Sequence, residues 1–346
     1  MGFNKREILF LIVGFSFLLL GFYFENNPTV KEIYLFGAEQ IIDGKIPYKD
    51  FETIFPPAVF YFNALILTVF SNSQFAIFAV YLFISFFISL IIYCLARDFL
   101  GSSKALFPFF ISIICQIFFP KYGGSVPLAL LLILLASLFL FKYYDSMKSQ
   151  NSISKFKKLS GIIPMGICIG LLGITRQDMA SYMYGLFFWA MFWAGIADVE
   201  GLGLSVLKRA WRGFLQGVFF TVIVFLTFLP FAIYFISTVG IEILYQQLIE
   251  IPFTVFREEH SIPFPNLFYF SPIFIAISSA IILFIKNRKK IIRANTPIFW
   301  KEVLVINLTL NIFNYGVIIS DLPHLVPAII FSSLLLPNII QLKIKN

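Results

Sequence analysis

Three short clusters in this 346-residue chain combine ionisable side chains with residues that could position them for chemistry. The first, Gly44–Pro57, reads GKIPYKDFETIFPP and holds Tyr48, Asp50 and Glu52 between prolines that stiffen the loop. A carboxylate in such a loop could act as a general base or bind a divalent metal ion, and desolvation would tune its pKa. The alternative interpretation is a solvated turn.

The other two clusters each lie between two apolar runs. Residues 175–178 read TRQD, in which Arg176 is a planar donor suited to phosphate and Asp178 could orient it through a bidentate pair. Residues 320–324 read SDLPH, in which Asp321 and His324 could share a proton or hold a pyrophosphate group. The alternatives are a structural ion pair at a helix junction and a capping Asp beside an interfacial His.

A weaker candidate is Arg257, which opens the segment REEH and could touch a phosphate, although that segment is most simply a loop surface. The sequence contains no P-loop, no GxGxxG after a strand, no HExxH and no CxxC. Soluble nucleotide chemistry is therefore unsupported.

The elements that must position these clusters are membrane helices. Hydrophobic residues make up 59% of the chain and the mean hydropathy is +0.89, whereas soluble domains contain about 45–50% apolar residues. About ten apolar runs are long enough to cross a bilayer. The net charge of +8 is explained by Lys and Arg beside membrane spans. We therefore expect membrane lipids as partners and no nucleic acid.

The doubtful apolar run is Pro57–Ser71, because it is short, begins at paired prolines and carries Asn63 in its middle. If it stays on the outer surface, ten spans place 20 of the 26 Lys and Arg in the cytoplasm. If it crosses, the later loops exchange sides and most basic residues move outside, against the positive-inside rule.

The sequence therefore predicts an all-α polytopic membrane protein with about ten transmembrane helices, plus juxtamembrane helices in the outer loops. We expect residues 1–346 to form a single membrane domain with both termini cytoplasmic. The first outer loop would span 25–74 and the second 237–266. The outer face then receives 12 of the 18 acidic residues, both histidines and all three clusters.

On these residues the chain resembles the GT-C superfamily of polytopic glycosyltransferases, typified by protein mannosyltransferases and bacterial aminoarabinose transferases. Residues 38–57, AEQIIDGKIPYKDFETIFPP, look like the first extracytoplasmic loop of that family. The TRQD and SDLPH clusters lie where related bacterial proteins often carry R-x-D and S-D-x-x-H. The resemblance covers residues 1–346 in topology and these three motifs at residue level.

The resemblance implies that a polyprenyl-phosphate sugar donor enters from the bilayer and that the sugar is transferred with inversion at the outer surface. The catalytic base would be Asp50 or, in the preceding helix, Glu32. Arg176 and His324 would contact the lipid phosphate, with help from Lys121. From the clusters and the resemblance together, the predicted substrate-binding residues are Tyr48, Lys121, Arg176, Asp178, Arg257, Asp321 and His324.

No cofactor is predicted with certainty, although the acidic loop is compatible with a divalent metal ion. We expect no soluble outer domain after the spans, and therefore an envelope lipid or glycan acceptor rather than a folded protein. The expected location is a bacterial cytoplasmic membrane with the active face outside. Two alternatives stay open: a transporter or flippase of lipid-linked glycans, and a non-catalytic subunit of a glycan-assembly complex. Transporters tend to place broken helices at the midplane, whereas the ionisable residues here lie at span ends.

Overall fold

The computed structural model describes residues 3–24, 32–71, 73–118, 123–146, 154–197, 205–252, 254, 270–287, 297–319, 322–337 and 339. Within these ranges the chain is helical and contains no β-strand beyond one isolated bridge, between Pro47 and Phe51. The helices are α1 Lys5–Phe24, α2 Glu32–Ile42, α3 Ala58–Val69, α4 Gln74–Leu100, α5 Ser102–Phe118, α6 Ser125–Ser146, α7 Ser154–Thr175, α8 Gln177–Ala197, α9 Val206–Thr238, α10 Ile241–Tyr245, α11 Ser271–Asn287, α12 Pro297–Ile319 and α13 Leu322–Ser333. A π-helix, Gln246–Glu250, continues directly from α10.

The apolar helices identify an all-α membrane protein, as the sequence predicts. In the described ranges, four helices are long and apolar enough to cross a membrane, namely α1, α4, α6 and α9. Shorter apolar helices include α3, α5 and the second half of α7. The count of about ten spans stays a prediction.

Helix α3 is the run whose role decides the predicted topology. Its 12 residues extend about 18 Å, which is shorter than the ~30 Å hydrocarbon core of a bilayer. Midway along it, the Asn63 side-chain amide donates to the Gly123 carbonyl, just before α6, at 2.8 Å. This helix therefore packs beside the start of α6, and its length suits a helix that does not cross.

Loops that are distant in sequence meet at one end of the bundle, which we call the site end (residues 32–71, 123–125, 175–178 and 239–252). Arg176 donates to the Ser125 hydroxyl, which connects the α7–α8 junction to the start of α6. Gln177 donates to the carbonyl of Leu248 in the π-helix. In the same π-helix, Gln247 is hydrogen-bonded to Tyr48 and Thr53 of the first loop. The TRQD cluster and the first loop therefore lie at the same end of the bundle.

Ion pairs connect the helices at the opposite end of the bundle. Lys301 of α12 is 2% exposed and binds Asp98 of α4 and both carboxylate oxygens of Asp145 of α6, the latter at 2.8 and 2.9 Å. Nearby, the Tyr93 hydroxyl donates to Glu7 of α1 at 2.8 Å. The starts of α1 and α12 therefore lie beside the ends of α4 and α6, as alternating spans require.

Helices α2 and α3 pack closely against each other at the site end. Gly37 faces the Phe60 ring so closely that a Cβ atom at this position would overlap it. The Phe60 ring also contacts Tyr34 at a centroid distance of 6.1 Å and Phe51 at 6.1 Å. This aromatic cluster fixes the intervening loop to both helices.

Candidate functional site

The first-loop acid lies at the tip of a tight turn. The Asp50 carboxylate accepts a hydrogen bond from the Ile46 amide at 2.7 Å, and the Asp50 amide returns one to the Ile46 carbonyl at 2.9 Å. The Tyr48 amide donates to the Phe51 carbonyl at 2.9 Å. The Asp50 side chain is nevertheless exposed, so a fixed carboxylate is presented at the surface of the site end.

Tyr48 lies inside this loop and not at its surface. It is 3% exposed, and its hydroxyl donates to the Phe55 carbonyl at 2.8 Å. Burial raises the pKa of its phenol well above the ordinary value, so the group remains a proton donor to that carbonyl. Its backbone has φ of 70°, an uncommon left-handed conformation for a residue with a side chain. Tyr48 therefore anchors the loop's own fold in this structure.

The second candidate acid, Glu32, opens α2 and is exposed. Two residues later, Tyr34 is 6% exposed, and its hydroxyl lies 3.4 Å from the Ser125 hydroxyl. Residues two apart on a helix do not share a face. Glu32 is thus directed away from the bundle interior, whereas Tyr34 is directed into it.

The bidentate pair between Arg176 and Asp178 is present. Arg176 donates from Nε and Nη2 to the two carboxylate oxygens at 3.0 and 2.7 Å, and from Nη1 to the Ser125 hydroxyl at 3.3 Å. Asp178 also accepts from the Met179 amide at 2.9 Å, in the first turn of α8. The guanidinium is 8% exposed and has a fixed orientation, with its charge already balanced in part by Asp178.

The Ser125 hydroxyl links the two candidate regions, since it contacts both Arg176 and Tyr34. This buried polar chain runs from the α7–α8 junction through the start of α6 to α2.

Several predicted site residues fall outside the described structure: Lys121, Arg257 and Asp321. His324 lies in the first turn of α13, but its side chain is also outside the described part. Their placement relative to Arg176 stays a prediction. Among the described residues, no three His, Cys, Asp or Glu side chains are close enough together to hold a metal ion.

The sequence alone did not single out Ser125, Gln177 or Gln247, all of which make hydrogen bonds at the site end. Gln247 is 7% exposed in a helix that reads as amphipathic. The one indication in the sequence is that Gln247 is an amide side chain in a segment that otherwise contains mainly Leu, Ile and Tyr.

The fold is similar to those of two solved membrane proteins, which agrees with the predicted resemblance at the level of the fold. One similar structure is the oligosaccharyltransferase AglB from Archaeoglobus fulgidus with an inhibitory peptide and a dolichol-phosphate. The TM-score is 0.60 at 11% identity, over 97% of this chain and 50% of that one. Another is ArnT from Cupriavidus metallidurans bound to undecaprenyl phosphate, with a TM-score of 0.59 at 14% identity, over 95% of this chain and 58% of that one.

The chain therefore spans about half the length of these solved proteins. Its sequence matches no family model and no curated protein sequence. At this identity the likeness establishes the fold alone.

Proposed function

We propose that this chain is a membrane glycosyltransferase that moves a sugar from a polyprenyl-phosphate donor to an envelope lipid or glycan acceptor. One observation carries the proposal. Within a fold shared with two transferases solved with polyprenyl-type phosphates, the acidic loop and the Arg176–Asp178 pair lie at the same end of the bundle. In such a transfer, a carboxylate can accept the acceptor's proton and a guanidinium can bind the phosphate.

In the proposed topology the site end faces the extracytoplasmic side of a bacterial cytoplasmic membrane, and both termini are cytoplasmic. The short α3, which packs beside the start of α6, supports ten spans over eleven. The excess of Lys and Arg on the opposite side supports the orientation.

The proposed reaction begins when an acidic side chain accepts the proton of an acceptor hydroxyl. The acceptor oxygen then bonds to the anomeric carbon as the bond from that carbon to the phosphate oxygen breaks, which inverts the configuration. The departing polyprenyl phosphate gains negative charge, and Arg176 would stabilise it electrostatically. Asp50 is our first choice of base, because its turn holds the exposed carboxylate in one place; Glu32 is the alternative.

The remaining predicted contacts belong to the same proposal. Lys121, Arg257 and His324 would complete the surroundings of the lipid phosphate, and Asp321 would orient His324. Asp178 would hold Arg176 in register with that phosphate. Tyr48 would act indirectly by keeping the acidic loop folded.

The test is incubation of the purified protein with a panel of polyprenyl-phosphate sugars and membrane-lipid acceptors, followed by measurement of released polyprenyl phosphate. We expect release with at least one donor, dependent on the acceptor. A parallel assay in vesicles measures movement of the labelled donor between leaflets. Movement without phosphate release would support a flippase and contradict the transferase. Neither activity, with any donor in the panel, would favour a non-catalytic subunit.

A further inference from the structure

A second helix crosses the acidic loop at the site end. It comprises α10 and the π-helix, residues 241–250, and Gly240 precedes it with a φ of 96° that reverses the chain after α9. Gln247 is the buried residue of this segment, whereas its neighbour Gln246 is exposed. An amide on the covered side of an otherwise apolar contact needs partners.

Both ends of the acidic turn supply those partners. The Gln247 Oε1 atom accepts from the Thr53 amide at 3.0 Å, and its Nε2 donates to the Tyr48 carbonyl at 3.1 Å. Asp50 and Glu52 lie between these two anchor points. One side chain therefore holds the start and the end of the segment that presents the candidate base.

The π-helix also contacts the Arg176 region. Gln177 donates to the Leu248 carbonyl, one residue beyond Gln247. π-Helical turns recur at functional sites because the extra residue per turn changes the register and leaves a carbonyl open to other donors. Helix 241–250 is thus hydrogen-bonded to the acidic loop by one side chain and to the α7–α8 junction by another.

A small apolar cluster supports the arrangement. Tyr48, Phe235 and Val239 form a buried group apart from the main core, with Leu244 and Leu248 packed against it. The Tyr48 and Phe235 rings meet edge to face at 5.6 Å. This cluster would keep helix 241–250 in place if the Gln247 amide were removed, so the amide's own contribution can be tested.

We infer that Gln247 is a positioning residue that fixes the Tyr48–Thr53 turn, and with it Asp50, relative to Arg176. The positional part of this inference concerns the fold alone. The catalytic consequence rests on the proposed transferase function and on Asp50 as its base.

The positional part is tested by hydrogen exchange, because the Thr53 amide donates directly to Gln247. In Gln247→Leu we expect the Thr53 amide to exchange about tenfold faster or more. Gln247→Glu keeps an acceptor oxygen and should hold that amide near the wild-type rate. Gln246→Leu is the matched control on the exposed face and should change nothing. Unchanged exchange at Thr53 in Gln247→Leu would overturn the inference.

The catalytic part is tested by kinetics on the same variants. Small misplacement of a catalytic group can reduce rate by ~10²-fold, so we expect Gln247→Leu to lower kcat by roughly 10- to 100-fold with the donor KM unchanged. Gln247→Glu should recover part of the rate. Equal losses in kcat for Gln246→Leu, or a loss confined to donor KM, would contradict the positioning role. If the wild type transfers no sugar, the transferase proposal fails, and the exchange experiment still decides the positional part.

Discussion

Replacement of Arg176 by Lys is the sharpest test of the phosphate-binding hypothesis. The guanidinium makes two hydrogen bonds to Asp178, at 3.0 and 2.7 Å, and a third to Ser125, at 3.3 Å. Lys keeps the charge but presents a single ammonium, which cannot reproduce this planar fork. Loss of one charge-assisted hydrogen bond costs about 1.5–3 kcal/mol. If the lost hydrogen bond stabilises the transition state by this amount, kcat/KM should fall by roughly 10- to 150-fold.

The assay measures release of polyprenyl phosphate by purified Arg176→Lys, with the donor that the wild type uses best. Because Arg176 is buried, thermal unfolding of the variant is recorded in the same detergent, and rates are normalised to folded protein. Arg6→Lys, an exposed arginine at the opposite end, is the matched control. Wild-type kcat/KM in Arg176→Lys, or a deficit that disappears on normalisation, would refute phosphate binding and leave Arg176–Asp178 as a structural ion pair.

Three further predictions follow. Asp50→Asn should lower turnover by ~10²–10⁴-fold with donor binding nearly intact, whereas Glu32→Gln should change turnover little. The reverse result would identify Glu32 as the base. Unchanged turnover in both variants would show that neither residue is the catalytic base. Lys301→Ala should lower the free energy of unfolding by about 1.5–3 kcal/mol, since it removes the buried ammonium that binds Asp98 and Asp145. A fall in Tm, measured by fluorescence, would confirm it, and an unchanged Tm would contradict it. Cysteine labelling from outside the cell should reach position 49 and not position 152, and labelling of 152 would contradict the ten-span topology.

The helices were predictable because apolar composition determines them almost without tertiary context. The doubtful apolar run from Pro57 corresponds to the short α3. The helix expected before the acidic loop, which contains Glu32, corresponds to α2. Even the Arg176–Asp178 pair could be anticipated, because two residues at a helix start are close in space whatever the rest of the fold does.

Contacts between distant segments were not predictable in the same way. Ser125 and Gln247 are ordinary polar residues in sequence, and their roles arise only when α6 and the π-helix are brought against α2 and the acidic loop. The π-helical register in particular has no sequence signature in the segment QQLIE. The burial of Tyr48 was likewise not evident from the sequence, because it depends on the left-handed backbone of the turn and on contact with Phe235 of α9.

The ion pairs at the opposite end bear on the proposed orientation, because Lys301 and Arg97 were counted there as positive-inside signals. Lys301 is neutralised by Asp98 and Asp145, and Arg97 lies 3.5 Å from Glu7, so both also serve the packing of the bundle. If both are removed from the count, the predicted ten-span topology still assigns eighteen basic residues to that side and six to the other. Acidic residues contribute little to orientation, so the nearby carboxylates do not offset this bias. The proposed placement of the site end outside the cytoplasm therefore does not depend on Lys301 and Arg97, which also form ion pairs within the bundle.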